Sequence, residues 1–194
     1  LLGLIAGARK IQRGGVHVLG GDMRSSRFRR VVAPRIAYMP QGLGRNLYAP
    51  LSVYDNVDFF GRLFDQPAAE RRRRIDDLLA GTGLAPFRDR LAGQLSGGMK
   101  QKLGLCCALL HDPDVLILDA TLPPSGGLWV LRQMRREKLP TRAVLLADHP
   151  DERVVEAVRL GVGGILLPDM TAESLLQCVR TVQSGEPWLE SQAG

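Results

Sequence analysis

The sequence predicts an α/β fold: a mostly parallel, doubly wound sheet with an inserted helical subdomain. Three observations carry this. Asp114–Leu118 (DVLIL) is a short apolar run without alternation, as buried parallel strands are. From there onward strand-like and helix-like segments alternate. Between about residues 50 and 112 three helical patterns follow one another with no strand between them. Composition agrees: 45% hydrophobic and 24% charged residues in a chain of 194 suit a packed core and exclude a disordered, collagen-like or disulfide-scaffold chain. The longest apolar runs, such as Leu105–Leu110, fall far short of the ~20 residues that span a bilayer.

The elements follow in order. Leu1–Ala8 is apolar but has neither a basic region before it nor a cleavage site after it. LLGLIAGARKI reads as the end of a helix rather than a signal peptide. Gly14-Gly15 turns into a strand at Val16–Leu19, closed by Gly20-Gly21. Arg35–Met39 (RIAYM) reads as a second strand, stopped by Pro40. Residues 41–50 form a loop. Ser52 is positioned to cap a helix in which Val53, Val57, Phe60 and Phe64 share a face. Pro67 starts a helix with Ile75, Leu78 and Leu79 on one side, and Ser96 opens another that runs to about Leu110. After the DVLIL strand come a helix at Leu128–Glu137 and a strand at Ala143–Ala147. A helix at Asp151–Leu160, a strand at Ile165–Leu167 and a helix at Thr171–Gln183, ended by Gly185, complete the pattern.

Charge is uneven. Residues 1–120 carry 18 Lys/Arg against 11 Asp/Glu, and residues 121–194 carry 8 against 9. A basic segment can meet nucleic acid, anionic lipid or nucleotide. No basic–aromatic interleaving of the base-stacking kind occurs, so direct nucleic-acid readout is not expected. The run Arg71–Arg74, followed by Asp76 and Asp77, reads as a solvated helix face. Cys106, Cys107 and Cys178 have no metal spacing and read as buried, reduced thiols of a reducing, cytoplasmic setting.

One motif stands out. In Leu95-Ser96-Gly97-Gly98-Met99-Lys100-Gln101, two glycines follow a Ser at a helix start. Such a start frees several backbone N–H groups in one place and suits phosphate oxygens. Gln41 follows a strand upstream, and Asp119 ends an apolar strand downstream. A strand-end carboxylate can hold Mg²⁺ through water, and a Gln side chain can hold the same ion. Asp119 can equally be a strand-end residue that caps the next loop.

Residues 1–119 resemble an ABC-transporter ATP-binding domain. YMPQ with Gln41 resembles the Q-loop, LSGGMKQK the family signature, and VLILD the Walker B strand. PRIAYMPQGLGRNLY and FFGRLF resemble the ribosome-associated ATPase and transporter-fusion branch. The resemblance covers about three-fifths of the chain. It implies ATP and Mg²⁺ as cofactors, with Gln41, Ser96, Gly97, Gly98, Gln101 and Asp119 toward the nucleotide and Gln41 and Asp119 toward the metal. It also implies homo- or heterodimerisation with a second ATP-binding subunit, a membrane subunit as partner, and a place at the inner face of the membrane. The branch adds ribosome association.

The departures are specific. No G-x-x-x-x-G-K-S/T phosphate loop occurs in the 194 residues, and LLGLIAG resembles the helix that follows that loop in the family. Ala120 stands where the family has a catalytic Glu. His149 in VLLADHPDE resembles the switch-histidine segment. These features point to a truncated or degenerate member in which hydrolysis is doubtful.

The remainder, about residues 114–190, resembles the second half of a receiver domain of LuxR-type response regulators. DVLILDATLPPSGGLWVLRQMR is similar to the phosphoacceptor strand, loop and helix, and TAESLLQCVRTVQSGEPWLE to the final helix. This resemblance makes Asp119 the phosphoacceptor. It also places Ala147 at the switch Thr/Ser position and Pro168 at the phosphate-contacting Lys position, so phosphorylation is not expected. The organisation read from both resemblances is an ABC-like segment at 1–119, with its helical subdomain at about 50–112, and a receiver-like half at 120–194 that completes the sheet. A folded hybrid without activity is the third reading.

Overall fold

The computed structural model describes residues 2–39, 46–121, 126–167 and 169–189. Its chain divides into two compact units, Leu1–His111 and Asp112–Gly194. Among the described residues, no helix is long and apolar enough to cross a membrane.

The first unit starts with α1 (Leu2–Ile5), which ends before Gly7 at φ +71°. A two-stranded antiparallel hairpin follows, β1 (His17–Val18) and β2 (Gly21–Asp22). Its turn residues Leu19 and Gly20 have φ 49° and 84°, the left-handed pair that a two-residue turn matched to strand twist requires. α2 (Ser26–Val32) is not anticipated by the apolar pattern; Ser25 caps it, its hydroxyl accepting from the Phe28 N–H at 3.2 Å. The expected strand at Arg35–Met39 does not form. Ala33–Arg35 is a 3₁₀ turn, and although Ile36 is extended at φ −129°, ψ 106°, no described segment pairs with it. An extended pattern becomes a ladder only beside another edge.

α3 (Val53–Leu63), α4 (Ala68–Thr82) and α5 (Gly97–Leu109) form a helical layer. Val53, Val57, Ile75, Leu79, Leu103 and Leu110 fill its core with Cys106 and Cys107. Ser52 caps α3 as its sequence position predicts, accepting from the Asp55 N–H at 3.0 Å. The solvated face expected at Arg71–Arg74 is only half realised. Arg72 and Arg73 are exposed. Arg71 turns inward to Asp58 at 2.6 Å, both side chains largely buried (12% and 14% exposed). Arg74 donates to the Leu110 and Leu109 carbonyls at 2.7 and 3.2 Å, capping the end of α5. All three cysteines are buried and outside any disulfide, and burial pushes the Cys106 thiol up to about 11.

The second unit is a four-stranded parallel sheet in the order β3 (Val115–Asp119), β4 (Arg142–Leu146), β5 (Gly164–Leu166) and β6 (Trp188–Leu189). α6 (Gly126–Arg136), α7 (Glu152–Arg159) and α8 (Ala172–Ser184) connect successive strands. Period-two alternation decides the faces. A Cβ on Gly127 of α6 would meet Leu145, whereas one on Gly164 would meet Cys178 and Val182 of α8. Val144 pairs with Gly164 and Leu145 with Ile165, so α6 and α8 cover opposite faces, as a doubly wound sheet requires. β6, two residues long, gives no periodic signal; the Trp188 N–H donates to the Gly163 carbonyl at 2.8 Å.

Candidate functional site

In the first unit the site is the start of α5. Leu95 is buried, and Met99 packs on the helical core four residues on. These two anchors turn Ser96 outward and leave Gly97 and Gly98 half-exposed between them. Ser96 is the N-cap, extended at φ −63°, ψ 162°, its hydroxyl accepting from the Met99 N–H at 3.3 Å. Its carbonyl takes the Lys100 N–H at 2.9 Å, the first bond of the helix. The N–H groups of Gly97 and Gly98 are therefore the two first-turn donors without an intrahelical acceptor. Gln101 lies one turn on, half-buried, with its side-chain oxygen buried and without a hydrogen-bond partner among the described residues. Lys102 faces the other way and donates to the Thr82 carbonyl at 3.0 Å. Gln41 falls outside the described residues.

The sequence pattern passed over Asn56, which organises the approach to this layer. It is fully buried in α3. Its amide N–H₂ donates to the carbonyls of Tyr48, Leu51 and Ser52 at 3.1, 3.2 and 2.9 Å, and its oxygen accepts the Tyr48 N–H at 2.8 Å. A polar residue three after Val53 and four before Phe60 sits on the apolar face, and that spacing was the available signal.

In the second unit Asp119 ends β3. Its Oδ1 accepts from both the N–H and the hydroxyl of Thr121, each at 2.7 Å. The carboxylate thus caps the turn that follows, and one oxygen already has two donors. Ala120 is buried, with its N–H on the Leu146 carbonyl at 2.8 Å. α6 starts hard against this turn: a Cβ on Gly126 would lie 2.7 Å from the Ala120 carbonyl oxygen, and one on Gly127 2.8 Å from that of Asp119. His149, after β4, is exposed. Nearby Asp151 caps α7 and pairs with Arg153 at 2.6 Å. That bond holds Asp151 below the usual carboxylate range and raises Arg153, which also feels Asp148 and Asp119. Ala147 is buried and offers no hydroxyl; Pro168 lies outside the described residues.

The donor sets can be tested against the implied cofactors. Two free N–H groups and a Ser hydroxyl at one helix start suit phosphate oxygens. For Mg²⁺, no group of three or more His, Cys, Asp or Glu side chains comes together among the described residues. Asp119 alone is compatible with Mg²⁺ only where nucleotide phosphates and waters complete the shell, the usual arrangement for that ion.

The family model for ABC transporters matches residues 1–122. The chain belongs to the ABC transporter family. This ABC-family chain is 41% identical over 120 residues to "Probable multidrug ABC transporter ATP-binding protein YbhF" of Escherichia coli (strain K12), covering 61% of its own length and 20% of that protein. It is 33% identical over 175 residues to "Sulfate/thiosulfate import ATP-binding protein CysA" of Nocardia farcinica, covering 84% of its own length and 49% of that protein. It therefore spans between a fifth and a half of these relatives. The fold is that of the ATP-binding cassette MJ0796, solved as a dimer bound to ADP and Pi, with a TM-score of 0.63 at 21% identity over 86% of this chain and 73% of that one. A LuxR-family DNA-binding response regulator from Staphylococcus aureus aligns over 38% of this chain and 62% of that one at 26% identity, with a TM-score of 0.36, which carries no argument.

Proposed function

We propose that this chain is the ATP-binding part of an ABC transporter and that it acts on nucleotide in trans. It closes its signature over ATP held by a second ATP-binding subunit. The observation that carries this is the start of α5, where Ser96 and the N–H groups of Gly97 and Gly98, without intrahelical acceptors, are presented outward by buried Leu95 and by Met99 packed on the core. These residues would hold phosphate oxygens of the shared ATP, which supplies the phosphoryl group when bound. Gln101 and Gln41 would support the same nucleotide, and Asp119 and Gln41 its Mg²⁺. Within the 194 residues there is no G-x-x-x-x-G-K-S/T, and Ala120 replaces the catalytic Glu. Positioning and charge stabilisation supply most of the catalysis in phosphoryl transfer, so this chain alone is not a hydrolase at a family-like rate.

A membrane subunit is the further partner, at the inner face of a membrane, in the cytoplasm. Ribosome association belongs to the same reading through the subfamily likeness of the PRIAYMPQGLGRNLY segment. The ABC-like segment ends near residue 119, and its helical subdomain spans about 50–112. The test mixes this chain with a cassette that has an intact phosphate loop and a damaged signature. ATP-dependent association by size-exclusion chromatography is the expected result, abolished by Ser96→Arg. No association, or no effect of Ser96→Arg, overturns the proposal.

A further inference from the structure

We propose that α2 and the turns beside it form a docking face for an anionic lipid bilayer. This goes beyond the nucleotide reading and does not depend on it. Residues 1–39 hold eight Lys/Arg and a single acid, Asp22. That carboxylate is engaged locally, accepting the Arg24 N–H at 2.9 Å. Arg29 is turned in on the Met23 and Arg24 carbonyls, while Arg9, Lys10, Arg13, Arg24, Arg27, Arg30 and Arg35 are exposed. Among the described residues none of these seven forms an ion pair.

The contrast with α4 is informative. There the exposed Arg73 meets Glu70 and Asp77, so that helix carries its own counter-charge. On α2 the counter-charge is missing. Arg27, Arg30 and Val31 stand at i, i+3 and i+4 and so share one face, while Val32 on the other side is buried. Val31 is 70% exposed among these arginines.

Charge complementarity requires a polyanion, and the exposed aliphatic side chain chooses which. Phosphate headgroups over an acyl boundary satisfy arginine and valine together. A nucleic-acid strand offers nothing to Val31, and it favours an aromatic stacking platform that this face lacks.

The experiment is co-sedimentation of the full chain with lipid vesicles. Binding is expected to vesicles of phosphatidylcholine with 30% phosphatidylglycerol at ~50 mM salt, released near 0.5 M salt and absent on pure phosphatidylcholine. Arg27→Ala/Arg30→Ala is expected to weaken it about 30-fold, at about 1 kcal/mol per surface cation. Val31→Asp weakens it too. Arg72→Ala/Arg73→Ala on α4 leaves it within twofold. Equal binding to uncharged vesicles overturns the proposal, as does an unchanged Arg27→Ala/Arg30→Ala variant or an equal loss from the α4 pair. So does tighter binding, through the same arginines, to a random-sequence RNA than to the charged vesicles.

Discussion

Removing the Asn56 side chain is expected to loosen the helical layer that carries Ser96, Gly97 and Gly98. In Asn56→Ala the Tyr48 N–H loses its acceptor at 2.8 Å. The three carbonyls that Asn56 serves each keep one partner: Leu51 N–H for Tyr48, Ala92 N–H for Leu51 and the Asn56 N–H for Ser52. The loss is therefore one orphaned donor, worth about 1–3 kcal/mol, and three weakened acceptors worth a few tenths each. Together they give about 3 kcal/mol, a large share of the ~5–15 kcal/mol that holds a domain. Native-state hydrogen exchange read on peptides from α3 reports this directly. About 3 kcal/mol is roughly a hundredfold faster exchange, with peptides from β4 and β5 as the reference. Asn56→Asp keeps the acceptor for Tyr48 but sets a buried carboxylate against carbonyl oxygens, so at neutral pH it should be worse than Ala. A change below threefold in Asn56→Ala, or a well-tolerated Asp at pH 7, refutes the reasoning.

Further outcomes follow from the same geometry. Burial raises the Asp58 pKa, but hydrogen bonds from Arg71 and Arg62 reverse this and hold it below its ordinary 3.8. A depressed carboxyl stabilises the fold above its unfolded pKa and loses that contribution as pH falls through the folded value, so an acid titration should show a limb below pH ~4 that Asp58→Asn removes. Ser96→Ala should cost about 1 kcal/mol and speed exchange in the first turn of α5, with Ser96→Thr nearly neutral. The chain alone should show no ATP turnover above background; turnover lost in Asp119→Asn would refute this. Acetyl phosphate should leave the intact mass unchanged, and a stable added phosphoryl group lost in Asp119→Asn would show that Asp119 is a working acceptor.

Much of the fold is legible where local signals and burial agree. The capping hydroxyls of Ser52, Ser96 and Thr171 mark three helix starts in sequence and in space. The strand at Val115–Asp119 is legible from its unalternating apolar run, although only Leu118 of it is fully buried. The expected strand at Arg35–Met39 fails because pairing is a tertiary property: RIAYM has the strand composition, but among the described residues no strand edge pairs with it. α2 is hidden because SRFRRVV carries too few apolar residues to show a period, although the Ser25 cap was readable. Arg71 and Arg74 look like surface charge in sequence, and only the placement of Asp58 and of the end of α5 turns them inward. Of the site, the signature turn was legible as a helix start rich in free donors. Asn56 was not, because a single polar residue on an apolar face resembles an interruption until its four bonds are seen.

Asp119 satisfies two sequence patterns, and its local geometry gives it a further role beside them. Any parallel strand that ends at a tight turn leaves backbone N–H groups to be satisfied. A carboxylate at the last strand position does so cheaply by accepting from residue i+2. Asp119 does this with Thr121, and the glycines at 126 and 127 let α6 close directly over the turn. This local service is sufficient reason for an Asp at that position, whatever chemistry a complete site adds. The start of α5 is different. Leu95 in the helical core and Met99 packed against it fix its geometry, and among the described residues the N–H groups of Gly97 and Gly98 have no acceptor. Under the proposed function, Ser96, Gly97 and Gly98 are therefore the residues that would meet an anion.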